Sequence, residues 1–203
     1  MPRDVALRTL PADPTADMHA VTKQYCDGNT SGVGLTVTWD ESPTTDGVAK
    51  GQSASYVEPT CITARVVIQQ PLKVTKFTLD VVETGTYNMW VTSGPYDSAG
   101  SSPETEILYA IEEDVVVTET GENDFTPASP MVFLPGVYYF TWQCEDGAVT
   151  WTYRHKDEAG WPGIGCSLYY TDAVYYDGTL QTSDICAVQP FSMTAYKGTL
   201  SAT

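Results

Sequence analysis

Two histidines, His19 and His155, are the imidazole bases available in 203 residues, so a nucleophilic triad would have to use one of them. His155 closes a run of alternating residues just before "KDEAGWPGIG" (156–165). Serines abound, but no Gly-x-Ser-x-Gly elbow presents one as a nucleophile. The reading preferred for His155 is an exposed residue at a strand end. Paired carboxylates could hydrolyse glycosides, yet among 26 acidic residues chance pairs arise everywhere and spacing alone selects none. Glu112-Glu113-Asp114 reads as a solvated strand end. Neither "ENDF" (122–125) nor "QCEDG" (143–147) carries the alternating acids of a calcium loop. No catalytic residue, no cofactor and no enzymatic activity are expected. A structural calcium on some of the carboxylates is the alternative that the acidity leaves open.

The aromatic residues are more informative: five Trp and 13 Tyr are present. Flat rings stack on the C–H faces of sugars, which makes Trp90, Trp142, Trp151, Tyr153 and Trp161 candidates for a glycan-binding platform. Core and interface packing is the competing reading for each. Trp161 is the least bound by it, because "AGWPGIG" reads as a loop able to present a side chain outward.

These residues must be positioned by strands. From residue 32 onward the apolar pattern has a period of two. Ile62, Ala64, Val66 and Ile68 share one face of "CITARVVIQ" (61–69). Phe77, Leu79 and Val81 share a face of "VTKFTLDVVE" (74–83), with Thr78 and Asp80 opposite. Tyr87, Met89 and Val91 share a face of "GTYNMWVTSG" (85–94). In "GVYYFTWQC" (136–144), Tyr138, Phe140 and Trp142 lie on one side and Val137 and Tyr139 on the other. A strand apolar on both sides needs cover on both. Turn signals at Glu83-Thr84-Gly85, Ser93-Gly94-Pro95, Pro135-Gly136 and Asp177-Gly178 separate the runs. About nine strands at short spacing, without amphipathic helices between them, predict an antiparallel β-sandwich of the jelly-roll type over residues 32–203. The polar stretch 40–59 reads as a long loop or an irregular edge, and 118–130 as an exposed loop.

Residues 1–31 differ. Pro2, Pro11 and Pro14 break up an extended start, Thr15 or Asp17 can cap a helix, and Met18, Val21 and Tyr25 fall on one helical face. Gly28 suits the position past its end. About three turns are marginal alone in water. The Met18, Val21 and Tyr25 face is therefore the expected attachment surface for a partner.

A net charge of −16 with ten Lys and Arg argues against binding nucleic acid or anionic lipid. No apolar run resembles a signal peptide or a membrane span, so synthesis in a reducing cytoplasm is expected. Cys26, Cys61, Cys144, Cys166 and Cys186 include no Cys-x-x-Cys pair and read mostly as small buried hydrophobes.

Within "LPADPTADMHAVTKQYCDG" (10–28), the residues Asp13, Pro14, Thr15, Thr22, Lys23, Tyr25 and Asp27 resemble a segment recurrent in tailed-bacteriophage virion proteins, above all tail fibres and minor tail proteins. Val21 stands where that segment usually has Ala, and Cys26 where it usually has Val. The resemblance covers under a tenth of the chain. It implies a connector that joins virion-attached parts to the following domain, within homotrimers. "FTLDVVETGTYNMWV" and "FLPGVYYFTWQ" look like strands of the jelly-roll, carbohydrate-binding modules common in phage fibres. The resemblance thus implies a virion protein, made in the host bacterial cytoplasm, whose partners are other virion proteins and a host-surface glycan. A capsid decoration or head-fibre protein is the alternative. A depolymerase and a spacer without a receptor are the more distant rivals.

Overall fold

A computed structural model describes residues 35–47, 61–97, 105–146, 151–152, 154–155, 168–180, 188–189 and 191–202. No helix occurs among them. In chain order the strands are β1 (Leu35–Trp39), β2 (Thr44–Gly47), β3 (Cys61–Ile68), β4 (Leu72–Val81), β5 (Gly85–Thr92), β6 (Ile107–Val117), β7 (Gly121–Phe125) and β8 (Met131–Phe133). They continue with β9 (Gly136–Cys144), β10 (Trp151–Thr152), β11 (Arg154–His155), β12 (Tyr169–Tyr176), β13 (Thr179–Leu180), β14 (Val188–Gln189) and β15 (Ser192–Ala202).

Two antiparallel sheets pack together as a jelly-roll-like sandwich. The first is centred on β15 and β4. Along the outer edge of β15, β1 and β2 follow one another in line, with Trp39 opposite Gly198 and Thr44 opposite Ala195. Along the outer edge of β4, β8 and β7 do the same, and β10 pairs with its last residues, Asp80 and Val81. The second sheet has the order β13-β12-β3-β9-β5-β6, and β11 pairs with β14 separately. From β2 to β5 each successive strand changes sheet. Such crossing distinguishes a jelly roll from a stack of hairpins.

Alternation decides the inside of the sandwich. The apolar sets predicted to share a face of β3 and of β5 face the core, as do Phe77, Leu79 and Val81 of β4; on β9 the inward face is that of Tyr138, Phe140 and Trp142. At its centre Phe191 meets four rings. Phe140 lies at 5.3 Å, Phe77 at 5.8 Å, Trp142 at 6.0 Å and Tyr169 at 5.1 Å, the last stacked and donating its hydroxyl to the Phe191 carbonyl. Burying one such side chain contributes about 1.5–3 kcal/mol. The Asp177-Gly178 turn joins β12 to β13 with φ of 44° and 75°, the two left-handed residues that a tight hairpin uses.

The loop predicted over 118–130 is corrected, and of the two readings of 40–59 the edge holds for the residues described. Residues 44–47 form β2, and residues 121–125 form β7, whose Phe125 is fully buried. An edge strand shows one face to water, so Glu122 and Asp124 are exposed and β7 reads as polar apart from Phe125. Residues 1–31, including the expected helix, lie outside the described residues. Cys61 and Cys144 are buried, in line with the hydrophobe reading.

Candidate functional site

The outer face of the first sheet carries the most chemistry among the described residues. Along β15, Met193 and Ala195 point into the core, so Ser192, Thr194 and Tyr196 point outward. The register sets Lys73 beside Tyr196, Lys76 beside Thr194 and Thr78 beside Ser192. Lys73 and Lys76 are three residues apart, a spacing that strict alternation would put on opposite faces. A β-bulge reconciles them. Thr194 pairs with Lys76 and the next residue, Ala195, with Val74, so Thr75 is passed over; its hydroxyl donates to the Thr194 carbonyl at 3.1 Å. Val74 and Phe77 therefore both face inward while both lysines face out.

One end of this strip is aromatic. Trp39 stands opposite Gly198, and a Cβ on that glycine would lie 2.9 Å from the indole, 2.6 Å from Val37 and 2.8 Å from Pro71. Glycine is needed here for close approach. The Lys73 ammonium sits 5.5 Å from the Trp39 ring centre and 4.6 Å from that of Tyr196, a double cation–π contact. The other end is a polar cleft of about 520 Å³ lined by Thr45, Lys76, Thr78, Asp124, Glu122 and Ser192, with Asn123 beside them. Asp124 accepts from Lys76 at 2.9 Å and from Thr78 at 2.7 Å. Partial burial works to raise the Asp124 pKa, but these two donors and the lysine charge outweigh it and hold the carboxyl below its ordinary value. Thr45 and Thr194 share a hydroxyl hydrogen bond of 2.9 Å.

Rings that stack on sugar C–H faces, next to hydroxyls and carboxylates that pair with sugar hydroxyls, form an arrangement suited to holding a saccharide. Among the described residues no three His, Cys, Asp or Glu side chains gather into a cation site.

The residues predicted from sequence are placed elsewhere or not described. Trp142 is 0% exposed and packs in the core, so its place in a glycan platform is corrected: its face of β9 is the inward one. Trp90 is 5% exposed on the outer face of the second sheet, covered by Tyr96 at 5.4 Å with its indole N–H donated to Glu113 at 2.8 Å, so it too presents no open ring. The cover that a doubly apolar sheet needs is supplied there by residues 93–97. Beneath them Thr63, Thr92 and Thr141 form a fully buried hydroxyl chain, linked at 2.8 and 3.0 Å. The Tyr96 amide caps it by donating to Thr63. Trp151 and His155 lie on β10 and β11, whose backbone alone is described. Met18, Val21, Tyr25, Tyr153 and Trp161 lie outside the described residues.

Sequence reasoning passed over Trp39, Lys73 and Tyr196. Trp39 carried a usable signal, since it shares a strand face with Val37 at the end of a short alternating run. Lys73 carried none, because its side depends on the bulge. Further along the second sheet, Arg65 pairs with Asp172 at 2.8 Å beside Tyr139 and Tyr175, whose rings lie 6.3 Å apart. Comparison with family models, with curated proteins and with solved structures finds no match for this chain.

Proposed function

We propose that the chain is a structural component of a tailed-phage virion, of the minor-tail or tail-fibre type, that displays its β-sandwich for adhesion to host-surface glycan. Residues 1–31 mount it on other virion proteins through the Met18, Val21 and Tyr25 face, and a homotrimer presents several copies together. The observation that carries the adhesive reading is the strip running from Trp39, Tyr196 and Lys73 into the cleft at Thr78 and Asp124. The virion reading rests on the likeness of residues 10–28 to the phage connector segment. Neither part requires a cofactor or a reaction.

The mechanism is avidity. Rings at one end hold sugar faces, hydroxyl and carboxylate groups at the other end orient them, and each site alone is weak. Joining several sites on one assembly raises the overall strength by roughly 10²–10⁴ without a new contact, provided the geometry lets them engage together.

Immunogold microscopy of intact particles, with an antibody to the full chain, tests the mounting. Gold on the tail is the expected result. Gold on the head would move the same module to a capsid decoration or head-fibre role, and absence of the chain from purified particles would end the virion reading. Adsorption of the fluorescently labelled chain to host cells tests adhesion, and Trp39→Ala should weaken it.

A further inference from the structure

We infer that the strip selects an acidic saccharide and fixes its direction, with a carboxylate-bearing sugar at the Trp39, Tyr196 and Lys73 end and neutral sugars in the cleft. This rests on the adhesion reading above and adds the ligand's charge and polarity to it.

The argument starts from Lys73. The chain has ten Lys and Arg against 26 acids, so carboxylates are abundant. The two ion pairs among the described residues are Arg65–Asp172 and Lys76–Asp124. Lys73 has no carboxylate within ion-pair distance there. Its ammonium instead lies against the rings of Trp39 and Tyr196. Ring faces neutralise a cation only partly, so the ammonium keeps its capacity to donate charge-assisted hydrogen bonds to an incoming anion. Trp39 and Tyr196 are both half-buried, so part of each ring still meets solvent and can lie against a sugar. A pyranose that carries a carboxylate satisfies both features at once: its C–H face lies on an indole or phenol and its carboxylate reaches the ammonium. A phosphate or sulfate would satisfy the charge, but it would leave the ring faces unused.

The far end has the opposite character. There the one cation, Lys76, is already held by Asp124, and Glu122 adds a second carboxylate to the lining. A second acidic sugar would meet these groups without a counter-charge, which disfavours it by like-charge repulsion. Neutral hydroxyls fit, accepting from Thr45 or Ser192 and donating to the Thr78 oxygen, Asp124 or Glu122. Tyr196 and Ser192 are four residues apart on β15, about 13 Å, so the two ends are separate subsites along one strand direction. The bulge at Thr75 makes this polarity, because it keeps both lysines on the ligand side while only one of them has a carboxylate partner.

The test is a glycan array that contains matched acidic and methyl-esterified oligosaccharides, read with the full-length protein in about 0.15 M salt, where screening beyond roughly 8 Å leaves local contacts to decide. Parent protein should retain glycans with a terminal uronic acid next to neutral sugars and lose about tenfold or more on methyl esterification. Lys73→Gln should lose the acidic glycans by the same factor, with Lys73→Arg retaining them. Both variants should stay folded, Lys73→Arg melting with the parent and Lys73→Gln a few degrees lower because it loses the cation–π contacts. Retention of acidic glycans by Lys73→Gln, or binding confined to neutral glycans, would overturn the inference and leave adhesion standing. Failure to bind any glycan, with host cells also unbound, would overturn both.

Discussion

Replacing Gly198 by alanine is the sharpest probe of how the first sheet holds its aromatic end. The methyl group would lie 2.6 Å from Val37, 2.8 Å from Pro71 and 2.9 Å from Trp39. Carbon pairs are most stable at about 3.5 Å or more, so each contact is short by roughly 0.6–0.9 Å. None of the three neighbours is the tip of a long flexible chain. Pro71 is a closed ring whose carbonyl accepts the Gly198 N–H at 2.7 Å, Val37 is branched at Cβ, and Trp39 is held by its own strand pairing. Relief therefore requires β1 to move away from β15 or the indole to leave its place. Overpacking in such a setting costs about 1–3 kcal/mol, and three simultaneous contacts argue for the upper end. In a chain of this size that corresponds to a fall in melting temperature of roughly 6–12 °C. Thermal and urea unfolding measure it, and the double variant with Trp39→Ala shows the coupling, since without the indole part of the strain disappears. A Gly198→Ala protein within about 0.5 kcal/mol of the parent would refute the close-approach argument and with it the packed position of Trp39.

Two further perturbations bear on other parts of the molecule. Phe191→Ala removes the ring that four others contact, so a loss of about 3–5 kcal/mol is expected in chemical denaturation, and a loss below about 1 kcal/mol would mean that the two sheets do not meet there. Asp124 has a folded-state pKa below its ordinary 3.8, so its contribution to stability is fully present above the ordinary carboxylate range and is lost as pH falls through the folded value. The difference in melting temperature between the parent and Asp124→Asn should be constant near neutrality and shrink below about pH 4. The carboxylate is 50% exposed, so the effect stays under about 1 kcal/mol.

What could be read in the sequence followed from whether a strand's two faces differ. On β3 and β5 the inward sets are apolar and regularly spaced, so alternation alone identified them. On β9 both faces are aromatic or apolar at several positions, and no pattern says which face is covered. Trp142 was thus open to a surface role until the opposing sheet was seen to close over it. Trp90 illustrates the same ambiguity, resolved by a loop that folds back across its own sheet. β7 was hidden because edge strands are polar on the solvent side and its inward contribution is mainly Phe125. The candidate site was hardest to read, for it depends on a bulge that breaks the period on which such reading relies. Trp39, Lys73 and Tyr196 come from three strands that are distant in the chain and meet only through register.

The bulge at Thr75 also bears on how this strand can change in length. β4 carries one residue more than its pairing with β15 uses. Removing Thr75 would leave Val74 and Phe77 inward and Lys73 and Lys76 outward, now in strict alternation. Away from the bulge, an insertion or deletion of one residue would exchange inside for outside along the rest of the strand. Position 75 is therefore the point in β4 where the chain can shorten without turning the sandwich inside out.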